Sequence, residues 1–146
     1  MIPNGPTFSV DGKHIYHTHT TERTVYRFEI HGGYELSHKS VFYQIPEGDG
    51  YPDGMTIDSE GCLWICHFAG SQISRVSPAG KLIDTIKLPV SNITSCTFGG
   101  ENLDQLFITT ARWTLTDEQL KEQPLAGGVF LYEPGVKGML SSKFGP

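Results

Sequence analysis

Asn4-Gly5-Pro6-Thr7-Phe8-Ser9-Val10-Asp11-Gly12 can be laid on Asp53-Gly54-Met55-Thr56-Ile57-Asp58-Ser59-Glu60-Gly61 without a gap, at an offset of 49 residues. Glycine, threonine, an apolar residue, an acid and a second glycine fall in register. A fainter third copy, Thr94-Ser95-Cys96-Thr97-Phe98-Gly99-Gly100-Glu101, begins 41 residues further on. Each copy leads into a short aromatic segment: Ile15-Tyr16, Leu63-Trp64, then Leu106-Phe107. Val25-Tyr26-Arg27-Phe28, Ile73-Ser74-Arg75-Val76 and Val129-Phe130-Leu131-Tyr132 repeat again behind them. A period of about 40–50 residues with about four short strands in each is that of propeller blades. Leucine-rich and ankyrin repeats are shorter and mixed with helices. The reading is therefore all-β, with residues 1–146 forming one domain of about three four-stranded blades.

Outward from the repeat, apolar and β-branched residues alternate rather than follow a helical period. Strands are expected near 7–10, 14–19, 24–30, 39–45, 55–58, 62–68, 72–77, 82–88, 93–98, 105–110 and 128–133. Asp11-Gly12, Gly32-Gly33, Glu60-Gly61 and Ala79-Gly80 supply turns between them. One helix is expected: Thr116-Asp117-Glu118-Gln119 has the form of a capping box, and Pro124 ends the segment. Three blades leave strand edges unpaired. The chain is thus expected either to be part of a larger ring or to complete one with a second copy.

Composition narrows the classes of function. The 146 residues carry 11 Lys+Arg against 16 Asp+Glu, a net charge of −5. That balance offers no basic patch for nucleic acid or anionic lipid. No apolar run approaches the ~20 residues of a membrane span. Met1-Ile2-Pro3-Asn4-Gly5-Pro6 lacks the charged and apolar regions of a signal peptide. Cys62, Cys66 and Cys96 are odd in number and too few for a disulfide framework, so a reducing, cytoplasmic setting is expected. No Gly-x-Ser-x-Gly elbow or phosphate-binding glycine loop is present.

The longer stretches have a family likeness. Asn4-Gly5-Pro-x-Phe8-Ser9-x-Asp11-Gly12 and Gly48-Asp49-Gly50-Tyr51-Pro52-Asp53-Gly54-Met55-x-Ile57-Asp58-x-Glu60-Gly61-Cys62-Leu63-Trp64 resemble the gluconolactonase/regucalcin (senescence marker protein) family. The likeness continues through Leu88-Pro89-Val90, Thr94-Ser95-Cys96-x-Phe98-Gly99-Gly100, Leu103-Asp104-x-Leu106 and Thr109-x-Ala111-Arg112. It ends at Pro124-Leu125-Ala126-Gly127-Gly128 and Gly135-x-x-Gly138, which look like the family's C-terminus. The resemblance implies the C-terminal half of a six-bladed propeller that binds one divalent cation (Ca²⁺, Mg²⁺, Mn²⁺ or Zn²⁺) and hydrolyses sugar lactones. It further implies that Asn4 and Asp53 are two of the metal ligands. The family's Glu ligand and its substrate-binding Arg and Asn belong to the N-terminal half, which this chain does not match. The expected partners are a sugar lactone and either a second copy of the chain or a complementary N-terminal half.

The repeat bears on the same two residues. Asn4 and Asp53 share one slot in successive copies, so rotation about a propeller axis would carry both to one channel mouth. A carboxylate and an amide oxygen are hard ligands suited to Ca²⁺, Mg²⁺ or Mn²⁺. Asp53 could also act as a general base toward water. The alternative is that Asn4 and Asp53 only shape turns before glycine. Thr94 holds the third slot with a hydroxyl, a poor ligand. Asp11, Asp58 and Glu60 are read as turn formers.

Among the histidines, His17 and His19 would share a strand face, a weak motif for zinc. The segment Tyr16-His17-Thr18-His19-Thr20 resembles a family stretch with Asp-Ser where this chain has His19-Thr20. An imidazole there would change charge and pH response near the channel. His31, His38 and His67 are read as surface or strand-edge residues, and Cys62 and Cys66 as buried thiols. Two further readings stay open: a non-catalytic calcium-binding propeller, and a truncated half that has lost the reaction.

Overall fold

The computed structural model describes residues 2–32 and 35–140. Within them the chain runs through β1 (Pro3–Phe8), β2 (His14–His19), β3 (Thr24–His31), β4 (Glu35–Gln44), β5 (Tyr51–Ile57), β6 (Leu63–Phe68), β7 (Gln72–Val76), β8 (Leu82–Lys87), β9 (Ile93–Gly99), β10 (Gln105–Thr110) and β11 (Val129–Tyr132). The strands form three antiparallel sheets in the orders β1-β2-β3-β4, β5-β6-β7-β8 and β9-β10-β11. Strand β1 packs beside β5, and β5 beside β9. Three consecutive propeller blades result, with the first strand of each on the inside. The third sheet has three strands among the described residues, one fewer than the repeat predicts. Of the turn pairs, Gly32-Gly33 includes Gly33, which lies outside the described residues, as does Met1.

The middle blade explains why its sequence does not alternate. Leu63 and Ile65 join Tyr16, Val25, Ile45, Met55, Ile57 and Val76 in a core facing the first blade. Trp64 and Cys66 join Ile73, Val90, Ile93, Cys96, Leu106 and Ile108 in a second core facing the third. Successive strand side chains point to opposite faces, and both faces of β6 are covered. An unbroken apolar run is the result. Burying side chains of this size contributes about 1.5–3 kcal/mol each.

The helix forms where the capping box predicts, as α1 (Asp117–Glu122). Thr116 Oγ1 accepts from the Gln119 N–H at 3.3 Å, and the Gln119 side chain accepts from the Thr116 N–H at 2.9 Å. The remainder is not all strand, because a 3-10 turn occupies Thr20–Glu22. Its cap is His19, whose Nδ1 accepts from the Glu22 N–H at 3.3 Å. His19 is buried and does not line the channel cleft described below. Its ring nitrogen caps the turn. Among the described residues no helix is long and apolar enough to cross a membrane.

Candidate metal site at the channel mouth

The slot shared by Asn4, Asp53 and Thr94 is a bulge in every blade. Register slips between Asn4 and Thr7 in β1, and between Pro52 and Met55 in β5. The β9–β10 ladder slips where Thr94 stands, since Thr109 faces Ser95 and Thr110 faces Ile93. A bulge puts an extra residue into one strand and re-aims its side chain. The turn reading of Asn4-Gly5 and Asp53-Gly54 is thus corrected: both pairs lie inside inner strands, which begin four residues earlier than expected.

The glycines after the slot let neighbouring inner strands close up. Gly5 has φ +85°, and a Cβ there would lie 2.8 Å from Met55 Cε. A Cβ on Gly54 would lie 2.5 Å from Ser95 Oγ and 2.7 Å from the Thr94 carbonyl oxygen. Hydroxyls from the first blade then stitch the strands together. Thr18 Oγ1 donates to the Asp53 carbonyl at 3.2 Å, and Thr20 Oγ1 donates to the Pro52 carbonyl at 2.8 Å. Thr20 Oγ1 also accepts from Asn4 Nδ2 at 3.1 Å, which fixes the amide and turns its oxygen away from Thr20.

Asn4, Asp53 and Thr94 all line one cleft of about 550 Å³. Its other walls include Ile2, Tyr51, Phe68 and Trp113. Phe68 and Trp113 sit with ring centroids 5.9 Å apart at the mouth. The loop that carries Trp113 is held by Asn92, whose Nδ2 donates to the Trp113 carbonyl at 2.7 Å. Burial pushes the Asp53 carboxyl up to about 6, opposed by a hydrogen bond from the Gly54 backbone. Thr94 Oγ1 is occupied with Thr109 Oγ1 at 2.8 Å. Sequence reasoning did not find the aromatic rim. Trp113 reaches the mouth through a loop outside the repeat, where no periodic signal marks it.

The other candidate residues fall elsewhere. Asp58 forms its turn, with Oδ1 accepting from the Glu60 and Cys62 N–H groups at 3.0 and 2.9 Å. Fully buried, it also accepts at Oδ2 from Trp64 Nε1 at 2.9 Å and from Arg75 Nη2 at 2.7 Å. It is a structural anchor. Asp11 accepts from Ser9 Oγ and the Lys13 N–H, as a turn former should. His67 is not a surface residue: it is wholly buried, with Nδ1 2.7 Å from the Asp49 carbonyl oxygen. Burial lowers its pKa below the ordinary histidine value. His31 and His38 are exposed, and Cys62, Cys66 and Cys96 are buried free thiols.

Three propeller blades meet at a cleft whose lining includes one carboxylate, Asp53, and one amide, Asn4, both with hard oxygen donors. Residues 1–112 match the family model described as the SMP-30/gluconolactonase/LRE-like region. The chain belongs to that family. It is 37% identical over 142 residues to human regucalcin, covering 94% of this chain and 47% of the relative. It is 35% identical over 145 residues to the 6-deoxy-6-sulfogluconolactonase of Pseudomonas putida, covering 99% and 50%. The crystal structure of a calcium-binding protein, regucalcin, from Agrobacterium tumefaciens superposes with a TM-score of 0.89 at 28% identity, covering 94% and 48%. The chain spans about half the length of the curated relatives it matches.

Proposed function

We propose that the chain is half of a metal-dependent sugar-lactone hydrolase whose site is completed on assembly, with a second copy or with a complementary N-terminal half. The observation that carries this reading is the arrival of Asn4 and Asp53, one repeat apart, in a single cleft. Their oxygens would hold one divalent cation, with Ca²⁺, Mg²⁺, Mn²⁺ and Zn²⁺ as candidates. Bound there, the cation would supply Lewis-acid polarisation of a lactone carbonyl. Asp53 would take a proton from the attacking water at its carboxylate oxygen. Tyr51, Phe68 and Trp113 would offer aromatic faces to the apolar side of a sugar ring. The Pseudomonas relative named as a lactonase supports the reaction class. The free buried thiols support a reducing, cytoplasmic setting.

A second reading is a non-catalytic calcium-binding propeller, favoured by the Agrobacterium relative described as calcium-binding. Lactone opening, followed by proton release at fixed metal, separates the two. The 146-residue chain alone should turn over feebly even when paired with a second copy, which would duplicate Asn4 and Asp53 rather than supply the missing substrate-orienting groups. Adding the N-terminal half of a relative should raise the rate at least about tenfold, equivalent to about 1.4 kcal/mol, by supplying groups that orient the substrate. Asp53→Ala should abolish that gain. Cation binding without turnover in the completed ring would favour the calcium-binding reading. Vigorous Asp53-dependent turnover by the chain alone would refute the need for a second half.

A further inference from the structure

We propose that the β3–β4 hairpin of the first blade binds a borderline divalent cation of the Zn²⁺ type through Glu29, His31 and His38. Glu29 and His31 lie two apart on β3 and so share a face. In the β3–β4 ladder Glu29 pairs with Ser37 and Arg27 with Ser40, leaving His38 and Lys39 together opposite Phe28 alone. That bulge divides the pair. His38, at φ +48°, turns its ring onto the face of Glu29, while Lys39 goes to the other and places Nζ 3.8 Å from the centre of the Tyr26 ring. Lys39 is thereby kept from the cluster. Regular pairing would have put His38 on the opposite face. A non-glycine residue in this backbone region is uncommon, and here it delivers the third donor.

The distances fit a small cation. Glu29 Oε2 lies 3.4 Å from His31 Nε2 and 3.2 Å from His38 Nδ1. Donors on a tetrahedron at Zn²⁺ bond lengths of about 2.0–2.1 Å stand roughly 3.3 Å from one another. The three donor atoms all fall within 4.8 Å of each other. Two imidazoles and one carboxylate are a donor set for Zn²⁺, Cu²⁺ or Ni²⁺ rather than for Ca²⁺ or Mg²⁺. The channel cleft, with oxygens only, has the opposite preference. All three side chains are at least 44% exposed, so a fourth position is open to water. The site lies on the two outer strands of its blade, whereas Asn4 belongs to the inner one. It is independent of the channel.

The test is calorimetric titration of Zn²⁺ into the full chain carrying Asp53→Ala, which removes the channel carboxylate. One Zn²⁺ should bind per chain. His31→Ala with His38→Ala should weaken that binding at least about tenfold, since one carboxylate is a poor Zn²⁺ site by itself. These positions are exposed, and an unchanged melting curve without metal will show that the double variant is folded. Cu²⁺ bound to the Asp53→Ala chain should show hyperfine coupling to two nitrogens by electron paramagnetic resonance, lost in the double variant. No saturable Zn²⁺ binding by the Asp53→Ala chain, or an isotherm unmoved by loss of both histidines, would overturn the proposal.

Discussion

Asp53 has two opposed demands on it. Burial raises its carboxyl from 3.8 to about 6, so the folded chain holds this proton more tightly than the unfolded chain does. Its contribution to stability is therefore fully present below about 3.8 and is lost as pH rises toward about 6. A cation requires the ionised form, so its binding should strengthen as pH rises through the same upper limit. Calorimetry with Ca²⁺ should show affinity climbing up to about tenfold per pH unit below 6 and levelling above it. Asp53→Asn should flatten the profile, and a flat profile in the unaltered chain would place the ligands elsewhere. Bound cation should also raise stability by mass action, by roughly 2.7 kcal/mol at 100-fold excess over the dissociation constant. Asp53 and Asn4 were legible because a repeat exposes equivalent positions. Asp58 was legible only as a turn former, because its partner Arg75 is 17 residues away on another strand. His67 was misread for the same reason: the Asp49 carbonyl that meets its ring belongs to a loop across the blade.

At the scale of the strand, turn chemistry and bulge chemistry use the same residues. Asn-Gly and Asp-Gly are common in turns and serve equally in a bulge, so sequence alone could not tell the end of a strand from a bulge within it. That is why β1 and β5 start earlier than expected, while β2 and β10 keep the bounds their alternation predicts. Capping at Thr116 was legible because the box is purely local. Gly54 tests the strand-level account. Its missing Cβ admits Ser95 and the Thr94 carbonyl, so Gly54→Ala must push β5 from β9. Denaturant unfolding should show a loss of about 1–3 kcal/mol, typical of overpacking. The same variant should weaken cation binding, although it alters no donor atom. An unperturbed midpoint would mean that the inner strands are not held in close contact.

For the molecule as a whole, two cores join three sheets, yet the outer edge of β11 lacks a partner strand among the described residues. Val129 and Leu131 on that strand are 68% and 55% exposed. An open edge with apolar side chains favours pairing with another chain. The chain is expected to self-associate, most simply as a two-fold dimer, and light scattering at micromolar concentration should give twice the chain mass. A folded, strictly monomeric species would refute this. The number of blades was legible from the period, but the short third blade was not, because the repeat fades after its second strand. The two tryptophans divide the same whole in a way that light can read. Trp64 is sealed between blades, with its indole N–H bound to Asp58, whereas Trp113 is 75% exposed at the rim of the cleft. Their emission will differ in colour and in access to a dissolved quencher. Whatever enters the cleft touches one fluorophore, and whatever loosens the packing of the blades reaches the other.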